Sequence, residues 1–176
     1  MATIIADSRE QKWDHVREYL DCHGVLWLRS KLPVGDYARM DNMATVIDRK
    51  QNLNEVESNV IHQHDRFRRE CQLAAEHGIH LIILVEEPDV QSLEGVAGWI
   101  NPRRRRWERL DAEHARGINL HKKIPGKPPV NGETLQAIMR TMAEKYGIEW
   151  RFCKKAQAGE TICKILETLP TLPRAE

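Results

Sequence analysis

The chain has no apolar stretch of membrane-span length, no Cys-x-x-Cys pair, no internal repeat and almost no net charge. Each absence narrows the reading. Without a run of roughly 18 apolar residues, no membrane-spanning helix is expected. Residues 1–5 enter an apolar run directly, without a signal-peptide pattern, so a cytoplasmic protein with no membrane partner is expected. Cys22, Cys71, Cys153 and Cys163 are too scattered for a zinc or redox motif, and in a chain of 176 residues they are expected to be reduced packing residues. No organic cofactor is expected.

A formal charge of +1 says nothing by itself about nucleic acid, but the distribution of charge does. Residues 101–129 hold nine Arg or Lys against three acids, so the rest of the chain is net acidic. Four of the arginines, Arg103, Arg104, Arg105 and Arg106, are consecutive and precede Trp107. Consecutive guanidinium groups neutralise phosphates without reading bases. Trp107 is expected to dock on the core.

What remains is an ordinary globular composition, 41% hydrophobic and 30% charged, in a length that suits one domain. That domain is expected to occupy 1–170, followed by a frayed tail at 171–176. Short apolar runs at 3–6, 25–29 and 44–48 read as strands, and the aliphatic run 81–85 reads as a strand buried on both faces. Helical spacing is found at 13–23, at 133–146, and across Ile162, Ile165, Leu166 and Leu169. The longest pattern, 52–77, carries Leu53, Val56, Val60, Phe67, Cys71 and Ala74 on one stripe. Residues 149–153 alternate as a last strand. Strands and helices interleave, so the class is α/β with a mixed central sheet flanked by helices. The stretch at about 101–131 lacks apolar periodicity, holds four prolines and is expected to be a mobile basic loop.

The chemistry concentrates in two segments. Gly35-Asp36-Tyr37 follows a turn, and Ile47-Asp48-Arg49-Lys50 ends an apolar strand. Side chains alternate along a strand, so Asp48 and Lys50 share a face with Cα atoms roughly 6.6 Å apart. A hairpin-like return would bring Asp36 to the same edge. Two carboxylates and an ammonium at one point suit metal-assisted phosphodiester cleavage: acids hold a hard cation, and the lysine orients water or offsets phosphate charge. A solvated Asp–Lys pair would also account for the motif taken alone. Three features favour a site: the placement of Asp48 at the end of an apolar strand, the glycine before Asp36, and a third acidic cluster, Asp7-Ser8-Arg9-Glu10, ending the first strand.

The ordered set Asp7-x-Arg9-Glu10, Gly35-Asp36-Tyr37, Val46-Ile47-Asp48-Arg49-Lys50 and Asp65-Arg66-Phe67 with Glu70 resembles the XPF-type nuclease domain of the PD-(D/E)xK superfamily, in a compact version like those of phages and prophages. The likeness is strongest over residues 3–87. It implies a restriction-endonuclease-like fold and a divalent-metal-dependent DNA endonuclease using Mg²⁺ or Mn²⁺. Selectivity for branched or flapped DNA, a homodimer, and a role in phage replication, recombination or repair are expectations that go with it. By position, Asp36, Asp48 and the Arg49 carbonyl would hold metal, and Lys50 would be the catalytic lysine. Asp7 and Glu10 would bind metal directly, through water or at a second site, with Glu10 counted among the catalytic acids. Arg9 and Arg66 would face phosphate or brace the acids. The chain departs from the family in carrying Asp48 where glutamate is usual, Asn54 where an aspartate is usual, and Asp65 where glycine commonly stands. A helix-hairpin-helix module is not evident. Two other readings share these residues: a catalytically inactive DNA-binding or scaffolding subunit, and an RNA nuclease.

Overall fold

A computed structural model describes residues 2–124 and 126–168. Six strands form one mixed sheet in the order β2-β1-β3-β4-β5-β6. Their ranges are β1 Ile4–Asp7, β2 Trp27–Ser30, β3 Tyr37–Arg39, β4 Thr45–Lys50, β5 His80–Glu86 and β6 Glu149–Cys153. β3 runs antiparallel to β1 and β4, whereas β1–β2, β4–β5 and β5–β6 are parallel pairs. The expected class, a mixed sheet flanked by helices, is what the chain forms.

Helices cover both faces. α1 (Asp14–Cys22) and α6 (Ala158–Ile165) pack on one face with Trp13, Val16, Leu20, Tyr37, Ile47, Ile82, Leu84 and Ile162. On the other face lie α2 (Leu53–Glu57), α3 (His64–Glu76) and α5 (Gly132–Tyr146). Their core holds Leu53, Val56, Phe67, Cys71, Leu135, Met139 and Trp150 against Leu81, Ile83 and Val85. β5 therefore divides its aliphatic run between two cores, which is why it reads as continuous rather than alternating. The remaining helix, α4 (Pro102–Ala115), starts in the basic segment.

Four expectations need correction. Tyr37–Arg39 is a strand, too short to show a period, yet it joins β1 to β4. The helix at 52–77 is two helices separated by a π-helical turn at Ser58–His62, where the Gln63 N–H donates to the Ser58 carbonyl five residues back, at 2.9 Å. The apolar stripe runs through this break and hides it. The basic segment is not one long loop, because its first half is α4. Asn101 caps that helix by accepting from the Arg103 N–H at 3.0 Å, Pro102 sits in the first turn, and Arg104 pairs with Glu108 at 2.8 Å. These local terms need no amphipathic stripe. Finally, Cys71, Cys153 and Cys163 are buried as expected, but Cys22 is exposed. The expected tail at 171–176 and Leu169 lie outside the described residues.

The topology gathers one edge of the sheet into a site. β1 ends beside the start of β3, and the Asp7 N–H donates to the Asp36 carbonyl at 2.7 Å. β3 starts beside the end of β4, and the Asp36 N–H donates to the Ile47 carbonyl at 2.7 Å. Gly35 makes this turn possible. Its φ is +64°, and a Cβ there would lie 2.6 Å from Val46 Cγ1 and 2.9 Å from the Ile47 carbonyl oxygen.

Candidate active site

The sheet edge opens into a cleft of about 480 Å³, lined among others by Arg9, Glu10, Asp36, Asp48, Lys50 and Glu70. β4 supplies Asp48 and Lys50 on the face toward α3, and both are buried. Lys50 Nζ lies 2.8 Å from Asp48 Oδ1 and 2.6 Å from Oδ2. The ammonium also sits 5.4 Å from the centre of the Phe67 ring. Burial alone would push Lys50 down, but the charges of Asp48 and Asp36 outweigh it and hold the ammonium well above its usual range.

Asp36 completes the group from the opposite strand. Its Oδ2 accepts the Arg49 N–H at 2.8 Å, replacing the strand partner that β3 no longer supplies. Burial first, and then the charge of Asp48, push the Asp36 carboxyl well above the usual carboxylate range. A buried acid whose ionisation a neighbouring carboxylate disfavours calls for a cation. Asp48 Oδ2 is buried and makes no hydrogen bond of good geometry. An under-satisfied buried carboxylate oxygen beside a second acid suits a hard cation. The N–H and C=O of one strand residue point to the same side. Since the Ile47 C=O and the Arg49 N–H both turn to Asp36, the Arg49 carbonyl turns to that side as well. Among the described residues, no three His, Cys, Asp or Glu side chains form a ready metal cage. The residues therefore fit a cation through two carboxylates and a carbonyl, not through a cluster of acidic side chains.

The other acids play different parts. Asp7 is 1% exposed and its carboxylate is saturated. Oδ1 accepts from the Arg9 backbone N–H at 2.7 Å and from Arg9 Nε at 2.8 Å. Oδ2 accepts from an Arg9 terminal nitrogen at 2.9 Å and from the Leu32 N–H at 2.7 Å. Burial would raise the Asp7 carboxyl, but the Arg9 side chain and the two backbone donors overcome it and bring it down to about 2. Asp7 thus fixes Arg9 and the 30–35 loop, and it does not line the cleft. Glu10 lines the cleft but is held by Arg49 at 2.9 Å and by the Lys12 N–H at 3.1 Å. Arg49 points to the opposite face of β4, where it also meets Glu86 at 3.0 Å, and Glu86 meets His15 at 2.6 Å.

Several cleft residues lay outside the site set read from the sequence, Glu70, Arg69 and Glu55 among them. Glu70 accepts the Gly35 N–H at 3.0 Å, tying α3 to the turn before Asp36. Arg69 and Glu55 join Arg66 in the lining. The signal was present in part: Arg66, Arg69 and Glu70 fall within one helical turn, so they share a face.

The four consecutive arginines separate into two groups. Arg103 reaches back to the buried Glu57 at 3.3 Å, and Arg104 donates to the Pro129 carbonyl at 3.0 Å. Arg105 and Arg106 are exposed. Helical spacing puts Arg105, Arg109 and Arg116 on one exposed stripe, and the half-exposed Arg103 on the side of Trp107 and Leu110. Trp107 is half-buried there. His62, His64 and His121 are exposed.

A mixed sheet whose acid–acid–lysine cleft is built on an antiparallel turn and a parallel strand defines the class by its fold. Solved structures of XPF from Aeropyrum pernix share the fold. One aligns with a TM-score of 0.60 at 22% identity, covering 94% of this chain and 63% of that one. Another, a complex with DNA, aligns with a TM-score of 0.59 at 23% identity, covering 99% of this chain and 69% of that one. The chain thus spans less than two thirds of the first structure's length. The ERCC4 domain model matches residues 6–165, and the chain belongs to that family. No curated protein matches it.

Proposed function

We infer that the chain is a divalent-metal-dependent DNA endonuclease that hydrolyses phosphodiester bonds in the Asp36–Asp48–Lys50 cleft. One observation carries the reading. Two segments, the turn before β3 and the end of β4, bring two carboxylates and a buried ammonium to one point, and Arg9, Arg66 and Arg69 line the same cleft. Such a mixture suits a polyanion whose scissile group must approach acids. Family membership supports the nuclease class, and the similar XPF structure in complex with DNA supports DNA as the substrate.

The Asp36 and Asp48 carboxylates, with the Arg49 carbonyl, would hold Mg²⁺ or Mn²⁺. Such a cation supplies Lewis acidity to the phosphodiester and acidifies water. The chain's own groups do the rest. Lys50, an ammonium at neutral pH, donates to the attacking water or to a non-bridging phosphate oxygen and offsets charge as it develops. The Arg49 N–H fixes the Asp36 carboxylate, and Glu70 fixes the turn that carries it. Arg9, held by Asp7, and Arg66 contact flanking phosphates. Arg105 and Arg106, with Arg109 and Arg116, contact the duplex further away. Glu10 restrains Arg49 from the edge of the cleft, and Asp7 acts as a brace. Residues 1–170 act as one domain.

Asp48→Ala and Lys50→Ala are expected to abolish cleavage of labelled single-stranded, duplex, flap, fork and four-way-junction DNA while keeping the native circular dichroism spectrum. Parental rates in either variant would overturn the site. A second reading, a non-catalytic DNA-binding subunit, draws on the absence of three converging acids among the described residues. Binding without turnover on any of these substrates, or on matched RNA, would favour it. Selectivity for branched DNA, the homodimer, and a phage role in replication, recombination or repair extend the same proposal.

A further inference from the structure

Behind Lys50 the cleft continues into a side pocket of about 250 Å³. The two cavities share Lys50, Glu55, Arg66 and Glu70, so one opens into the other. Ser58, Asn59 and Gln63 line the pocket's far side, and Phe67 also lines it. Ser58 and Gln63 are the residues that the π-helical hydrogen bond joins. A π turn inserted between two α-helices displaces side chains from α-helical register, and such turns occur often at functional sites. Here the displaced residues carry one hydroxyl and two amides.

The pocket does not suit a second phosphate. Its shared mouth has two cations, Lys50 and Arg66, against two acids, Glu55 and Glu70. Lys50 is already paired with Asp48. Glu55 accepts the Gln51 N–H at 2.8 Å and Glu70 accepts the Gly35 N–H at 3.0 Å. With Arg66 assigned to the phosphates of the main cleft, what remains for a ligand is hydrogen bonding from the hydroxyl and the two amides over a Phe67 residue that is 3% exposed. Each amide offers donors and an acceptor together, the combination that matches a base edge. The wall is also held from behind. Val60 is 3% exposed, and Glu57, 1% exposed, accepts from Asn101 Nδ2 at 3.1 Å and from Arg103 at 3.3 Å.

The geometry points to a nucleobase subsite: the π-turn pocket receives one base, drawn out of the stack, from a nucleotide next to the scissile phosphate. This rests on the nuclease reading, and it gives the cleft a preference for substrates with a base free to leave the stack, such as those at a branch point.

The test reads equilibrium binding, so it stands apart from cleavage. A fluorescent forked DNA is titrated with the full chain in EDTA, with a single abasic residue walked one position at a time across the branch point. One position is expected to weaken binding about tenfold, the size of one or two lost hydrogen bonds. In Asn59→Ala/Gln63→Ala that position is expected to lose most of its effect. Equal binding at all positions, or undiminished discrimination in the double variant, overturns the subsite. A double variant that weakens Mn²⁺ binding and leaves the base effect intact would make the pocket a cation site and also overturns it. If the double variant does not fold, the walk on the parent chain still decides. Parent chain that binds with a single-position loss but never cuts DNA would sink the nuclease reading while leaving the pocket standing.

Discussion

Asp7→Asn separates a structural brace from a metal ligand. The substitution keeps the size of the side chain and removes the charge from a carboxylate that accepts four hydrogen bonds. Arg9 and the two backbone donors bring the buried Asp7 carboxyl down to about 2, below the ordinary aspartate value of 3.8. A depressed carboxyl stabilises the fold above its unfolded pKa and loses that contribution as pH falls toward its folded value. At 1.36 kcal/mol per pKa unit, the contribution is about 2 kcal/mol at pH 7, about 1 kcal/mol near pH 3 and close to nothing by pH 2. For a chain of this size, a loss of about 2 kcal/mol lowers Tm by about 4–8 °C. Urea titrations of parent and Asp7→Asn at several pH values, in EDTA, measure the difference. It is expected to be largest at neutral pH and to shrink below pH 4. A difference that stays constant with pH, or that emerges only when Mn²⁺ is added, would refute the brace.

Gly35→Ala forces a side chain into a left-handed residue and against Val46 and the Ile47 carbonyl. It is expected to cost about 2–4 kcal/mol of stability in chemical denaturation. In the basic helix, Arg105→Ala/Arg106→Ala is expected to reduce the salt slope of DNA binding by about 2, whereas Arg104→Ala changes it little. Slopes are read from anisotropy titrations at increasing salt, and equal slopes in the two variants would contradict the division of the arginines. Glu57→Leu removes an acceptor of Asn101 Nδ2, which keeps the Val130 carbonyl, and the partner of the half-exposed Arg103, and is expected to lower stability by about 1 kcal/mol in urea titration. Unchanged stability would mean that the clasp contributes nothing.

Much of the architecture was legible because it depends on periodicity. The stripe from Leu53 to Ala74 packs on one core as its spacing required, and the aliphatic run of β5 is buried on both faces. The acid–acid–lysine convergence was legible for a similar reason: alternation along β4 forces Asp48 and Lys50 to one face. Features set by single hydrogen bonds were not. The resemblance allowed Arg9 to brace an acid, but nothing in the sequence says that Asp7 also turns to Leu32, 25 residues away, instead of to the cleft. The π turn leaves the stripe intact, so only the backbone shows it. α4 is stabilised by its cap and one i,i+4 pair while its arginines suppress any apolar stripe, so composition alone suggested a loop.

The central claim is that a metal held at Asp36 and Asp48 makes this cleft cut DNA. Single-turnover cleavage of a labelled forked DNA by parent and Asp48→Asn, in Mg²⁺ and in EDTA, tests it most directly. Cutting is expected from the parent in Mg²⁺ alone and from Asp48→Asn in neither buffer. Cutting by the parent in EDTA, or by Asp48→Asn at the parental rate, would contradict it.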